Sequence, residues 1–183
     1  MSGSKALVYY WDACVYLAWL RDEQAYKSSL PSMKEIIRLN KERSNMIITS
    51  TITIIEVLES KLTADQEKAF RECFKSPKHA LYDVDPPIAD RARELRDYYV
   101  RHPIGKRSLS TPDAIHLATA LIHGADTFHT FDNGKSKDDE GKKGIPLLDL
   151  KNKVAGHSLE IRTPFIAFTP ELIEKSPDEK ERK

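Results

Sequence analysis

Residues 6–20 read ALVYYWDACVYLAWL, and the pattern changes in the middle. Residues 6–11 form a β-type run of aliphatic and aromatic side chains that ends at Asp12. Beyond it Val15, Leu17, Ala18 and Leu20 suit the first turns of a helix. Asp12 is the only charge between Tyr9 and Trp19. A carboxylate in such company is costly unless hydrogen bonds, a partner charge or a metal ion offset it.

Working outward, the same change from strand to helix recurs. Residues 31–43 (PSMKEIIRLNKER) place Pro near a helix start and set Met33, Ile36, Ile37 and Leu39 near one face. Residues 45–55 (NMIITSTITII) are β-branched and predict a buried strand that turns into a helix near Glu56. Residues 63–75 predict a helix, residues 78–84 (KHALYDV) a strand, and residues 88–100 another helix behind Asp85-Pro86-Pro87. Ser110-Thr111-Pro112-Asp113 combines hydroxyl caps, a first-turn proline and an acid near the positive end of the helix dipole. That helix is expected to stop at Gly124. Residues 126–131 (DTFHTF) predict a strand ending at Asp132, residues 133–143 a charged loop, and residues 145–150 (IPLLDL) a further strand.

Strands alternating with helices predict a three-layer α/β/α domain with a mainly parallel central sheet over residues 1–150. Residues 151–183 are expected to form an extension that docks in part, through the apolar residues 165–168, and ends in the disordered charged tail SPDEKERK.

Bulk composition excludes several classes. With 183 residues the chain has room for one domain with a real core, and 40% hydrophobic and 31% charged residues are ordinary for a soluble globular protein. No apolar run reaches the ~20 residues that span a bilayer. The opening MSGSK lacks the apolar core of a secretory signal. The two cysteines, Cys14 and Cys73, have neither disulfide-framework nor zinc-ligand spacing. They read as core thiols in a reducing cytoplasm. A net charge of +1 gives no global field, so any polyanion must be held by a local patch.

Four acids stand where an α/β sheet binds ligands, beyond the carboxyl ends of its strands. Asp12 and Asp132 follow strand-like runs, Glu56 follows a strand-to-helix transition, and Asp113 sits in the best-capped helix start. Clustered carboxylates repel and raise one another's pKa values unless cations neutralise them. Oxygen-preferring divalent ions, Mg²⁺ or Mn²⁺, are the natural counterions, and such ions activate water and stabilise the oxygens of a phosphodiester under attack. Taken singly, each acid also has a plain structural reading. Asp12 and Asp113 suit helix N-termini, Glu56 a solvated helix position, and Asp132 an Asx turn.

The stretches VYYWDACVYLAWL, TSTITIIEVLES and STPDAIHLATALIHGADTFHTFDNG, in that order, resemble the acidic motifs of the PIN-domain family. That nuclease family includes the toxins of VapBC-type toxin–antitoxin pairs. The resemblance implies that Asp12, Glu56, Asp113 and Asp132 are the catalytic, metal-binding quartet of an endoribonuclease that holds one or two Mg²⁺ or Mn²⁺ ions. It implies supporting polar roles for Thr130 and Asn133, an RNA substrate, an antitoxin protein that inserts an Arg or Lys toward the acids, and a homodimer. The charged loop and the segment after Leu150 exceed a minimal toxin of this kind.

Arg101, His102, Lys106 and Arg107 lie just upstream of Asp113, and the first and last two are candidates for RNA phosphate contacts. The alternative is an ordinary mixed-charge surface. Lys135, Lys137, Lys142 and Lys143 are interrupted by acids and read as a solvated loop. Tyr9, Tyr10, Trp11 and Trp19 read as core, with base stacking as the alternative. His116 and His123 lie on the Asp113 helix, seven residues apart and so on roughly one face; a catalytic histidine is the alternative to a metal-activated water, which needs no side-chain base.

Two other classes compete. A haloacid-dehalogenase-type phosphatase also carries an Asp after its first strand but needs a second acid two residues on, where this chain has Cys14. A PIN-fold RNA-binding or scaffold module would keep the fold without the catalysis.

Overall fold

The computed structural model describes residues 6–134 and 144–166. The expectations for the leader, the lysine-rich loop and the charged tail lie outside those residues. Strand β1 (Leu7–Trp11) is the middle of a five-stranded sheet. On one side it pairs with β2 (Asn45–Ser50), which pairs with β3 (His79–Tyr82). On its other side lies β4 (Thr127–His129). A small antiparallel ribbon, β5 (Lys153–Val154) with β6 (His157–Ser158), precedes the edge strand β7 (Glu160–Arg162), which pairs with β4. All four pairings in the large sheet are parallel, in the order β3-β2-β1-β4-β7.

Alternation along β1 sorts the core into two halves. Tyr10, with Ile48 and Phe128 beside it, packs under α5 (Pro86–Arg101) and α6 (Thr111–Ile122). Tyr9, Trp11 and Ile47 face α1 (Ala13–Leu20), α2 (Leu30–Lys41), α3 (Ile52–Leu58) and α4 (Ala64–Cys73). Both faces are therefore covered, which is why the strands read as unbroken apolar runs. The result is the expected α/β/α arrangement. Tyr9, Tyr10 and Trp11 are buried and serve the core rather than base stacking.

Local chemistry explains the helix starts. Asp85 accepts the N–H of Ile88 ahead of two prolines, and Ser110 accepts that of Asp113. Thr63 and Gln66 close a reciprocal capping box at the start of α4. Gly124 ends the α6 region with φ +65, a conformation that suits glycine.

Two expectations are corrected. Helix α3 begins at Ile52 rather than near Glu56. The N–H of Thr51 is taken by the Tyr82 carbonyl, Thr49 and Thr53 share a hydroxyl bond, and Thr53 and Val57 are buried, so tertiary packing overrides the β preference of the run. Residues 145–150 hold no strand. They contain the single-turn helix α7 (Leu147–Leu150), because Pro146 offers no ladder N–H and Asp132 accepts the N–H groups of both Leu147 and Leu148. The strand position expected there is filled by β7, from the segment beyond Leu150.

Candidate metal centre

Asp12 is 8% exposed and lies at the carboxyl end of the central strand, where its N–H bonds the His129 carbonyl. One carboxylate oxygen accepts the Ala13 N–H at 2.8 Å, which makes Asp12 the N-cap of α1. The other accepts the Thr130 hydroxyl at 2.7 Å and the Cys14 thiol at 3.3 Å. These donors offset much of the cost of burying the charge. Thr130, fully buried, also accepts the Asp132 N–H at 3.0 Å, so one hydroxyl ties the first acid to the fourth. Cys14 is more than a core thiol, since its sulfur also accepts the Phe131 N–H at 3.2 Å. Burial, then the nearby Asp12 charge, push its pKa well up and keep it a thiol.

Glu56 projects from α3 with its side chain 28% exposed and meets the Nε2 of His116 at 2.7 Å. His116 is buried, and its Nε2 is 3.7 Å from the Asp12 carboxylate. Burial disfavours a charged imidazole there, but Glu56, Asp12 and Asp113 outweigh it and raise the pKa. Ligand-capable atoms of Asp12, Glu56 and His116 all lie within 4.8 Å of one another. Two carboxylates and an imidazole suit a divalent cation.

Asp113 occupies the first turn of α6, where Ser110 donates to its carboxylate at 2.5 Å. Burial and the charges of Asp12 and Asp132 raise its pKa to about 6, against the Ser110 hydrogen bond and His116. It therefore feels the other acids, although it is not within the tight three-residue group. Asp132 has both oxygens engaged, by the Gly134 N–H and the Leu147 N–H, each at 2.9 Å. This realises the Asx-type reading and adds an anchor for the chain returning at residue 147. Asn133 is exposed beside it.

The residue that sequence reasoning left unassigned is His116. Its signal was present, since Asp113 and His116 are three apart on one helix and so share a face. His123 instead stacks on Tyr82 at 3.4 Å. Among the basic candidates, Arg101 is exposed with its Nε on the Asp97 carbonyl at 3.2 Å, Lys106 is exposed, and Arg107 is 3.6 Å from Asp149. Lys106 and Arg107 line a cavity of about 600 Å³ with Arg93, Arg96 and Thr111, beside the start of α6.

A parallel, doubly covered sheet with acids gathered beyond its central strands defines an α/β protein built around a candidate divalent-cation centre. The PIN domain family model matches residues 9–138, and the chain belongs to that family. The fold is similar to a chain in the VapBC2 complex from Rickettsia felis bound to a DNA fragment from its promoter. That match has 15% identity, covers 85% of this chain and 98% of that one, and has a TM-score of 0.57. FitAcB from Neisseria gonorrhoeae is 19% identical over 69% of this chain and 88% of that one, with a TM-score of 0.48. Mycobacterium tuberculosis VapC20, a sarcin-ricin loop cleaving toxin, is 19% identical over 68% and 89%, with a TM-score of 0.49. No curated protein matches the chain. No helix among the described residues is long and apolar enough to cross a membrane.

Proposed function

We propose that this protein is a Mg²⁺- or Mn²⁺-dependent endoribonuclease that acts in the cytoplasm as the toxin of a toxin–antitoxin pair. The observation that carries the reading is the meeting of Asp12, Glu56 and His116 at the carboxyl edge of the sheet of a PIN-domain chain. Asp12, Glu56, Asp113 and Asp132 are the residues assigned to hold one or two ions. A bound ion supplies Lewis acidity and an activated water for phosphodiester hydrolysis. The chain's own contribution is to orient these carboxylates. Thr130 and the Ala13 N–H fix Asp12, and Ser110 fixes Asp113. Asn133 is assigned a supporting polar role beside Asp132.

Arg101, Lys106 and Arg107 are assigned to phosphates flanking the cut, and the position of Lys106 and Arg107 on the cavity beside α6 supports the assignment of those two. The similarity to the VapBC2 chain supports an antitoxin partner, which would cover the acidic edge with an Arg or Lys. A homodimer belongs to the same reading.

The test is RNA cleavage with Mg²⁺ or Mn²⁺ by the full chain and by Asp12→Asn and Asp113→Asn. The reading expects cleavage by the parent and its loss in both variants with the fold intact by circular dichroism. Full activity in both variants overturns the site assignment. Ion binding without cleavage of any RNA would favour a non-catalytic RNA-binding module. The engagement of both Asp132 oxygens by backbone N–H groups is the observation that favours this second reading.

A further inference from the structure

Tyr10 is fully buried against α6, where its hydroxyl meets the ring of His116. The phenol oxygen accepts the Ser50 N–H at 3.2 Å and lies 2.6 Å from Nδ1 of His116. An amide N–H can only donate, so that bond uses a lone pair and leaves the phenol proton to be placed. The neighbouring Thr49 hydroxyl donates to the Trp11 carbonyl at 2.8 Å and is bonded to Thr53 at 2.7 Å. That hydroxyl gives its proton to Trp11 and so does not donate to the phenol, and His116 Nδ1, at 2.6 Å, is assigned as the acceptor for the phenol proton. With Nδ1 accepting, the ring proton of neutral His116 sits on Nε2 and points at the Glu56 carboxylate 2.7 Å away. Charging the ring leaves this end unchanged, because Nε2 bears a proton in that state too.

We infer that Ser50 N–H, Tyr10, His116 and Glu56 form a positioning relay that holds the Glu56 carboxylate beside Asp12 and keeps His116 Nε2 closed as a ligand. His116 is thus a positioning residue, although its nitrogen lies among the ligand-capable atoms. The inference rests on the metal-site reading above and deepens it, since an ion at this centre is then held by carboxylate oxygens. Oxygen-only coordination suits Mg²⁺ and Mn²⁺, whereas an added imidazole would draw the site toward Zn²⁺. Glu56 needs such a hold. Its helix is seven residues long, and among the described residues its carboxylate has only the His116 hydrogen bond to fix it.

Two measurements on the full chain test the relay. The first is the metal-free imidazole ¹⁵N spectrum, which is independent of whether an ion binds. The relay expects His116 in the Nε2–H form, and loss of that preference in Tyr10→Phe. A ring protonated at Nδ1 alone overturns it. The second is Mn²⁺ affinity by calorimetry with pulsed EPR of the bound ion. Tyr10→Phe and His116→Ala should each weaken Mn²⁺ binding by about tenfold, as loss of a ligand-orienting hydrogen bond does. His116→Gln, whose amide can still donate to Glu56, should restore most of it. No directly coordinated ¹⁴N should be seen in the parent protein. A ¹⁴N coupling that vanishes in His116→Ala, or parental affinity in Tyr10→Phe, overturns the relay. Absence of Mn²⁺ binding by the parent overturns the metal-site reading instead, and the ¹⁵N spectrum then decides the relay alone.

Discussion

Acid should destabilise this protein through two buried histidines, His79 and His129. Burial lowers the pKa of each from 6.5 to about 3, and for His129 the Arg162 charge adds to the effect. The unfolded chain takes up these protons near pH 6.5 and the folded chain only near pH 3. Between those values the unfolded state binds more protons, so stability falls as the pH falls. From pH 7 to pH 5 this linkage comes to about 2 kcal/mol per histidine. Asp113 works the other way. Its pKa rises from 3.8 to about 6, so the folded state takes up its proton first, and the raised pKa of His116 acts in the same sense. The Asp113 offset is about 1 kcal/mol over the same interval. The two histidines and Asp113 together leave a loss of about 2–3 kcal/mol, which His116 reduces further; this is still a sizeable share of the roughly 5–15 kcal/mol that typically holds a domain together.

His129→Phe isolates one contribution. Neither ring nitrogen of His129 has a hydrogen-bond partner among the described residues, and the ring stacks on Tyr9 at 4.9 Å. A phenyl ring there forfeits no hydrogen bond. In urea unfolding at pH 7 and pH 5, the variant should lose about 2 kcal/mol less than the parent on acidification. The comparison is of pH differences, so any packing strain from the larger ring cancels. An equal loss in the two proteins would refute the reasoning.

Thr130→Val should lower stability in urea by about 2–4 kcal/mol at pH 7, because it removes a buried donor to the Asp12 carboxylate and strands the Asp132 N–H. A change below about 0.5 kcal/mol, well under the usual worth of such a bond, would show that Thr130 does not hold the charge. A chain ended after Leu150 loses the buried Val154, Leu159 and Ile161 together with the pairing of β7 to β4. Those three side chains amount to about 5–8 kcal/mol, so the shortened chain should lack a cooperative thermal transition in calorimetry. A transition at the parental temperature would refute the role given to β7.

The layers were legible because burial on both faces leaves long apolar strands in the sequence, and because the helix starts at Asp85 and Ser110 use ordinary capping chemistry. Residues 145–150 were misleading for a physical reason. Leucines that pack at positions 147 and 150 of a helical turn look the same as a short strand when Pro146 and the distant Asp132 are not weighed together. The edge strand, Glu160–Arg162, is three residues long and carries one buried side chain, Ile161, too little for a periodicity. In the site, Asp12 announced itself as a charge in apolar surroundings. His116 did not, because its role depends on Tyr10 and Glu56, residues 106 and 60 positions away in the chain. Spacing reveals neighbours on one helix, whereas a chain of hydrogen bonds across the sheet becomes visible only when the strands are paired.

Asp12 and Thr130 sit at the ends of β1 and β4, adjacent strands with a paired neighbour on each side. Local openings in a protein start where backbone hydrogen bonds are few and exposed, at edges and termini, and reach such interior strands only with global unfolding. The acids anchored there thus ride on the segment that opens last. Fraying at the sheet edges therefore leaves Asp12 and its Thr130 anchor in place while the protein stays folded. On the proposed metal-dependent reading, restraint comes from outside, through a partner that covers the carboxyl edge of the sheet or through the supply of the ion.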